Sequence, residues 1–309
     1  MHYEFIVTSA EVGQRIDVFL SSKTGITRSQ IQKAIDRGDI SVNGRIIENR
    51  YRVRQSDVIL IDIKEKKDGV LIPQNLPIEI LFKDEYVIVV NKPAGIVVYP
   101  AAGHEDGTLM NAIAYHCGKL VAPGAPLRPG VVHRLDKDTS GVMVIALNDI
   151  SYYNLTEQFR KRTINRKYIA LVYGIINEAK GEINKKIGRS ESDRKKMSTY
   201  VKRGKEALTQ WRVIRRLPCA TIIEAKLGTG RTHQIRVHFA SIGHPVLGDK
   251  IYGKKCEIRI RTGKRIILPR QMLHAEMLGF IHPVSNEYLE FSSPLPDDMA
   301  EKVKELEAE

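Results

Sequence analysis

One short segment of the chain concentrates ionisable side chains at a spacing that could do chemistry. It spans residues 130–141, GVVHRLDKDTSG, and leads directly into an apolar stretch. Asp136 and Asp138 stand two residues apart in it, beside Arg134 and Lys137. Cationic neighbours favour the ionised form of a carboxylate. The segment therefore predicts a single ionised aspartate, suited to act as a nucleophile.

Other interpretations compete for this loop. Asp136, Asp138 and Ser140 match the first ligand positions of a calcium loop, but the twelfth position is Leu147 instead of a bidentate Glu. A glycosidase pair would need one carboxyl group with a raised pKa, which the two cationic neighbours disfavour. A salt-bridged turn without chemistry is the structural alternative.

The distribution of charge points to a polyanionic partner. The chain has 309 residues with a formal net charge of +13. Residues 158–236 hold 21 basic and 6 acidic side chains, whereas residues 1–75 hold 12 and 10. Clustered positive charge binds nucleic acid through counterion release, so affinity should fall steeply with salt. The alternative is a basic surface that is merely solvated.

Several protein classes are disfavoured. The three cysteines are odd in number and widely spaced, which argues against a disulfide scaffold and a Cys-rich zinc site. His133, His233 and His238 lack the spacing of metal ligands. The chain begins without a basic leader followed by an apolar run, and no stretch of about 18 apolar residues occurs. We expect no metal, no membrane partner and a location in the reducing cytoplasm.

The first 75 residues predict a small α+β domain. Residues 15–20 favour a short helix, and Thr27 opens a second helix with a capping box that Gln30 completes. Asn43-Gly44 between two β-prone stretches predicts a tight hairpin, and residues 57–62 predict a further strand. The charged stretch KEKKDG (64–69) then suggests a domain boundary near residue 75.

Residues 76–309 predict a mixed α+β domain built on a largely antiparallel sheet. A helix over Thr232–Ile242 is expected, with Thr232 as its N-cap and Gly243 as its end, and residues 293–309 predict an acidic C-terminal helix. Strands are predicted at IEILF (78–82), YVIVV (86–90), VMVIAL (142–147), RKYIALVYG (166–174), ALTQWRV (207–213) and CATIIEAKL (219–227).

The loop and the motifs around it resemble the RluA-type pseudouridine synthases. HRLDKDTSG (133–141) is similar to the signature of that family; NKPAG (91–95) precedes it, and RKYIALVYG and GTGRTHQIRVHFASIGHPVLGDKIYG (228–253) follow it. The resemblance extends from residue 78 to about residue 295. It implies an enzyme that isomerises uridine in RNA to pseudouridine by moving the ribose from nitrogen to carbon five of the same uracil, with no cofactor.

The resemblance also implies roles for single residues. Asp136 is expected to be the catalytic residue and Arg231, in GTGRTHQ, its cationic partner. Arg134 would fill the gap that the flipped nucleotide leaves in the RNA. Tyr168 would stack on the detached uracil and take the proton from carbon five. Tyr99 stands where many relatives have His, and its role is open.

The first domain resembles the αL RNA-binding domain named after a small-subunit ribosomal protein, over roughly residues 13–63. The resemblance implies that basic residues outside its apolar positions contact RNA, and the alternative is a small α+β cap domain. These basic residues are Arg28, Lys33, Arg37 and Arg45.

The expected partner is RNA, with large-subunit ribosomal RNA as the favoured target and transfer RNA as the alternative. No obligate protein partner is inferred. A non-catalytic RNA-binding or ribosome-assembly protein is the competing hypothesis, and the complete set of Asp136, Arg134, Tyr168 and Arg231 favours the enzyme.

Overall fold

The chain divides into two compact units, Met1–Gly69 and Val70–Glu309, which are described separately. The computed structural model describes residues 2–62, 70–101, 103–118, 120–124, 126–191, 193, 196–253, 256–259, 263 and 265–308. The charged stretch 64–69 lies outside these residues. The domain boundary expected near residue 75 therefore stays a prediction.

The first unit is a small α+β fold with one core. Its four strands form an antiparallel sheet in the order β1-β4-β2-β3, and buried side chains of both helices, such as Phe19 and Ile31, share a cluster with Ile59 and Ile61 of the sheet. The elements are β1 (His2–Ile6), a 3-10 turn (Ser9–Glu11), α1 (Ile16–Thr24), α2 (Arg28–Asp36), β2 (Ile40–Val42), β3 (Arg45–Ile46) and β4 (Val58–Asp62).

Two local predictions for this unit are confirmed. Thr27 and Gln30 form the expected capping box at the start of α2. Asn43 and Gly44 join β2 to β3 with φ values of 51° and 75°, the left-handed backbone that a two-residue hairpin turn needs.

A buried carboxylate ties the two helices together. Asp17 of α1 is fully buried and accepts hydrogen bonds from Arg15, Arg28 and Gln32. Burial by itself raises the pKa of Asp17, but these donors outweigh it and lower the pKa to about 2. One side of the Arg28 guanidinium is therefore already engaged within the protein.

The second unit is built on a sheet in which nine strands are described. The order is β5-β6-β7-β16-β8-β13-β12-β9, and β17 also pairs with β16. β7 and β16 run parallel, while the other neighbours in this sheet are antiparallel. The strands are β5 (Glu79–Lys83), β6 (Val87–Lys92), β7 (Ser140–Ala146), β8 (Asn165–Tyr173), β9 (Lys180–Asn184), β10 (Gly188–Arg189), β11 (Met197–Ser198), β12 (Leu208–Leu217), β13 (Ala220–Leu227), β14 (Glu257–Arg259), β15 (Arg265–Ile267), β16 (Leu273–Ile281) and β17 (Tyr288–Ser292).

The helices of this unit are α3 (Leu109–Cys117), α4 (Asp149–Lys161), α5 (Gln234–Ala240) and α6 (Asp297–Glu307). The acidic C-terminal helix is confirmed as α6, and the mixed, mostly antiparallel sheet matches the expected fold class. Helices α3 and α4, which follow the side-chain caps Thr108 and Asn148, were not among the elements expected from the sequence. The expected N-cap of α5 was wrong, because the helix starts after His233, which adopts a left-handed φ of 57°. No helix in the described part of the chain is long and apolar enough to cross a membrane.

The parallel pair positions the motif loop. Ser140 and Gly141, at the end of the HRLDKDTSG stretch, are opposite His274 and Ala275 of β16. Gly141 has a φ of 118°, and a Cβ atom on it would lie 2.2 Å from the carbonyl oxygen of Ala275. Only glycine fits both the backbone conformation and this close approach.

We predict that Gly141→Ala lowers the free energy of unfolding of the second unit by about 3 kcal/mol or more, because backbone strain and a backbone clash add. Trp211, the single tryptophan of the chain, lies in β12, so its fluorescence in a urea titration reports this unit. The matched control is Gly243→Ala, which also has a positive φ but no atom within 4 Å of a new Cβ. Equal losses for both variants would contradict the close-approach argument.

Candidate active site

A cleft of about 550 Å³ in the second unit collects the residues that the sequence singled out. The loop before β7 contributes Arg134 and Asp136, strand β8 contributes Tyr168, and Arg231 precedes α5. All four line this cleft although they come from three separate parts of the sequence. Arg236 of α5, which sequence analysis did not select, lines it as well.

Asp136 is one of three charged side chains, Asp136, Arg236 and Asp249, that hydrogen bonds link into a charge chain. Its Oδ2 atom accepts a hydrogen bond of 2.8 Å from Nη1 of Arg236. The other side of the guanidinium binds Asp249 with two hydrogen bonds, of 2.7 Å from Nε and 3.0 Å from Nη2. The side chain of Arg236 is 4% exposed and that of Asp249 is 0% exposed, whereas that of Asp136 is 17% exposed. Asp136 is thus the member of this charge chain that is open to the cleft.

The geometry of this bridge keeps Arg236 charged. Burial alone lowers the pKa of an arginine, but the two carboxylates outweigh burial and raise the pKa of Arg236. Asp249 also accepts hydrogen bonds from the backbone N–H groups of Ile251 and Tyr252. Asp249 therefore fixes the guanidinium on its buried side, and one N–H of the guanidinium remains for Asp136.

The expected pairing of Asp136 with Arg231 is wrong in this structure. Arg231 lies in the turn before α5, and its Nε donates to the carbonyl oxygen of Glu206 at 3.1 Å. Arg236 stands inside the helix, on a buried stretch between Ile235 and Val237. An arginine between apolar residues inside a helix favours a carboxylate partner, and this was the signal in the sequence that could have found it.

His233 is a second neighbour of the Asp136 carboxylate. Its Nε2 lies 3.7 Å from Oδ1 of Asp136, and its Nδ1 shares a hydrogen bond of 2.8 Å with the hydroxyl of Tyr252. Burial lowers the pKa of His233 below its usual value, so the ring is uncharged at neutral pH. Of these two neighbours, Arg236 alone then carries the counter-charge.

Tyr168 is buried within β8 and faces the cleft with its neighbour at the next alternate position, Arg166. Burial raises the pKa of Tyr168, and the charge of Asp136 adds to the rise although Arg166 opposes it. At neutral pH the side chain is consequently an uncharged phenol.

Arg134 lies exposed at the edge of the cleft and contacts Tyr99. Its Nη1 donates to the Tyr99 hydroxyl at 3.4 Å, and its guanidinium lies 5.9 Å from the centroid of the Tyr99 ring. Arg128 lies at 5.7 Å from the same ring. The tyrosine at this position thus contacts two arginines at the cleft.

Two buried basic side chains hold the backbone of the motif loop. Lys92, in NKPAG, donates from Nζ to the carbonyl oxygens of Pro93, Ile96 and Lys137 at 2.9–3.0 Å. Burial lowers the pKa of Lys92 to about 7, against the attraction of nearby carboxylates. Arg270 donates to the carbonyl oxygen of Asp138 at 3.0 Å. The loop backbone is therefore anchored directly after Asp136, at residues 137 and 138.

The basic residues expected to bind RNA in the first unit are all exposed, but they differ in their contacts. Arg28 pairs with Asp17, and Arg37 pairs with Asp39 at 2.7 Å. Lys33 on α2 and Arg45 on β3 form no ion pair within the described ranges. These two are the cations most available to an external anion.

Comparison with known proteins identifies the second unit. The family model for RNA pseudouridylate synthases matches residues 86–241, which are half of the chain. The chain belongs to the RluA family of RNA pseudouridine synthases. It is thus an isomerase. A second match, to the S4 domain over residues 14–59, makes the first unit its RNA-binding domain.

Full-length relatives agree with this assignment. The chain is 42% identical to ribosomal large subunit pseudouridine synthase D of Zymomonas mobilis, covering 95% of this chain and 94% of that protein. It is 40% identical to an uncharacterized RNA pseudouridine synthase of Bacillus subtilis, covering 98% and 97%. Among solved structures, human RNA pseudouridylate synthase domain containing 1 is similar with a TM-score of 0.56 at 27% identity, over 76% of this chain and 97% of that one.

Exchanging each arginine in turn tests which of them supports the charge chain of this pseudouridine synthase. Arg236→Met leaves Asp249 buried without its partner, so we expect the free energy of unfolding to fall by about 3–5 kcal/mol. Arg231→Met removes one contact to a carbonyl oxygen and should cost less than about 1.5 kcal/mol. Urea titrations followed by Trp211 fluorescence measure both values. A larger loss for Arg231→Met would reverse the assignment.

Proposed function

We propose that the enzyme isomerises specific uridines in large-subunit ribosomal RNA, and that Asp136 is its nucleophile, acting on a nucleotide flipped into the cleft. The observation that carries this proposal is the accessible Asp136 carboxylate, backed by the buried Arg236–Asp249 pair. The Arg236 guanidinium donates a hydrogen bond to that carboxylate and places a fixed positive charge beside it. The relatives named ribosomal large subunit pseudouridine synthase D support the choice of RNA.

The reaction that we propose conserves all atoms and electrons. The bond between N1 of uracil and C1′ of ribose breaks, and a bond between C5 and C1′ forms. The proton that leaves C5 is balanced by the proton that N1 gains. A carboxylate oxygen of Asp136 bonds to C1′ as the N1–C1′ bond breaks, and it leaves C1′ again as the C5–C1′ bond forms, so the free carboxylate is regenerated.

Tyr168 contributes in two ways to this proposal. Its buried ring offers a face on which the detached uracil can stack. Because the raised pKa keeps Tyr168 a phenol, its hydroxyl must pass its own proton on as it takes the proton from C5, and in the net reaction one proton reaches N1 of the detached uracil. Arg134, exposed at the edge of the cleft, is suited to enter the RNA stack in place of the flipped base.

Asp136→Asn should lower the rate of tritium release from ribosomal RNA labelled at uridine C5 by at least about 10,000-fold, because the nucleophile is lost while the fold is kept. Filter binding should show RNA affinity close to that of the wild type. The matched control is Asp138→Asn, two residues away in the same loop, which should retain activity. Undiminished release by Asp136→Asn, or equal loss in both variants, would overturn the assignment of a single catalytic aspartate.

The choice of RNA is tested separately by chemical mapping of pseudouridines in cells with and without the gene. Loss of sites in large-subunit ribosomal RNA is the expected result, and loss confined to transfer RNA would contradict it. The cytoplasmic location and the lack of an obligate protein partner stay predictions.

For the S4 domain, the double variant Lys33→Gln/Arg45→Gln should weaken RNA binding and reduce the slope of log affinity against log salt by about 1.5, because two phosphate contacts are lost. Filter binding at several salt concentrations measures the slope. Lys23→Gln is the control, since Lys23 is paired with Glu11 at 2.6 Å in the same unit. An unchanged slope in the double variant would exclude these two residues from the RNA interface.

A further inference from the structure

A second buried guanidinium lines the active-site cleft. Arg166 precedes Tyr168 by two positions on β8, so the two side chains lie on the same face of the strand. Arg166 is 8% exposed, and both residues line the cleft. Its surroundings differ sharply from those of Arg236, which binds two carboxylates.

Arg166 forms no ion pair with any residue that the structure describes. Its buried Nε atom has no hydrogen-bond partner there either. Its guanidinium lies 5.3 Å from the centroid of the Phe159 ring, and its Nη1 would be 3.0 Å from a Cβ atom on Gly230. A buried cation that lacks a counter-ion and leaves a buried N–H without a hydrogen bond lowers the stability of a fold.

The nearby titratable groups do not supply the missing negative charge. His133 is uncharged, because burial and the charge of Arg166 lower its pKa to about 3. Tyr168 is a neutral phenol. The Asp136 carboxylate is engaged by Arg236. The absence of a carboxylate partner at Arg166 therefore leaves its fork of donors available to a ligand in the cleft.

We infer that Arg166 is a phosphate-binding residue, which takes a phosphodiester that flanks the flipped uridine; the inference rests on the proposed function. Alternate residues of a strand lie about 6.6 Å apart, so a group one position beyond the base-stacking Tyr168 meets the sugar-phosphate backbone rather than the base. A guanidinium binds phosphate oxygens through paired N–H donors. Gly230 lets this guanidinium lie against the turn before α5, where a side chain would crowd it.

The first test measures stability. A residue kept for ligand binding at the expense of the fold can be replaced without loss, so Arg166→Met should unfold at the same urea concentration as the wild type or a higher one. Trp211 fluorescence again reports this unit. If the Arg166 side chain instead serves only to pack on Phe159, Arg166→Met should unfold at lower urea, and that result would overturn the inference.

The second test removes the charge of one phosphate at a time and combines that change with the Arg166 variants. The substrate is a synthetic RNA hairpin carrying the uridine mapped as the enzyme's site, with a neutral methylphosphonate at the 5′ or the 3′ phosphate of that uridine. For the wild type, one of the two replacements should reduce kcat/KM by roughly 10- to 100-fold, mainly through KM. Arg166→Met should show a similar loss on unmodified RNA and no further loss on that methylphosphonate RNA. Arg166→Lys should recover part of the activity.

Controls separate the two levels of the proposal. Arg265→Gln removes an exposed arginine outside the cleft, paired with Glu257 at 3.7 Å, and should respond to the methylphosphonates as the wild type does. If the fold-losses in kcat/KM from Arg166→Met and from each methylphosphonate multiply in the combined measurement, the two changes act independently. That result would overturn the phosphate assignment but not the synthase activity. A wild-type enzyme that forms no pseudouridine in any RNA would instead sink the proposed function.

Discussion

The bridge that Arg236 makes between Asp249 and Asp136 is the interaction on which the active site depends. The Asp136 carboxylate lies in the cleft with a cation fixed next to it, and the hydrogen bond between them sets its orientation. Arg236 can act as that cation because Asp249 and two backbone N–H groups hold it from the buried side. The cost of burying three charges is offset by these hydrogen bonds, and the accessible end of the chain is Asp136.

The bridge can hold the Asp136 carboxylate in one position only if the loop that carries Asp136 is itself fixed. Lys92 and Arg270 hold the loop through carbonyl oxygens, so the backbone is fixed while the carboxylates keep their freedom to bind other groups. Gly141 closes the loop against β16 where the two strands run parallel. The NKPAG and HRLDKDTSG motifs thus together support the loop that carries Asp136. They are joined by hydrogen bonds to the Lys137 carbonyl oxygen from Lys92 Nζ and from the backbone N–H of Gly95.

The two buried arginines of the cleft divide two tasks between them. Arg236 is saturated by carboxylates and stabilises the charge of a protein group. Arg166 lies on an aromatic ring and a glycine, with no counter-ion in the described structure, and is suited to the charge of a ligand. Substrate binding would then complete an electrostatic arrangement that the folded protein leaves open, which is a common way to make binding specific.

The sequence by itself determined the local structure and the chemical identity of the loop. The capping box at Thr27, the hairpin at Asn43-Gly44 and most strands follow from interactions between residues close in the chain, and the HRLDKDTSG motif named the family and Asp136. Tertiary structure decided which arginine meets that aspartate. Arg236 lies 100 positions from Asp136, and its selection over Arg231 depends on where α5 starts and on the burial of that helix against the rest of the unit. Spacing along the chain carries no information on such a contact, because it exists only after the sheet and the helix have packed.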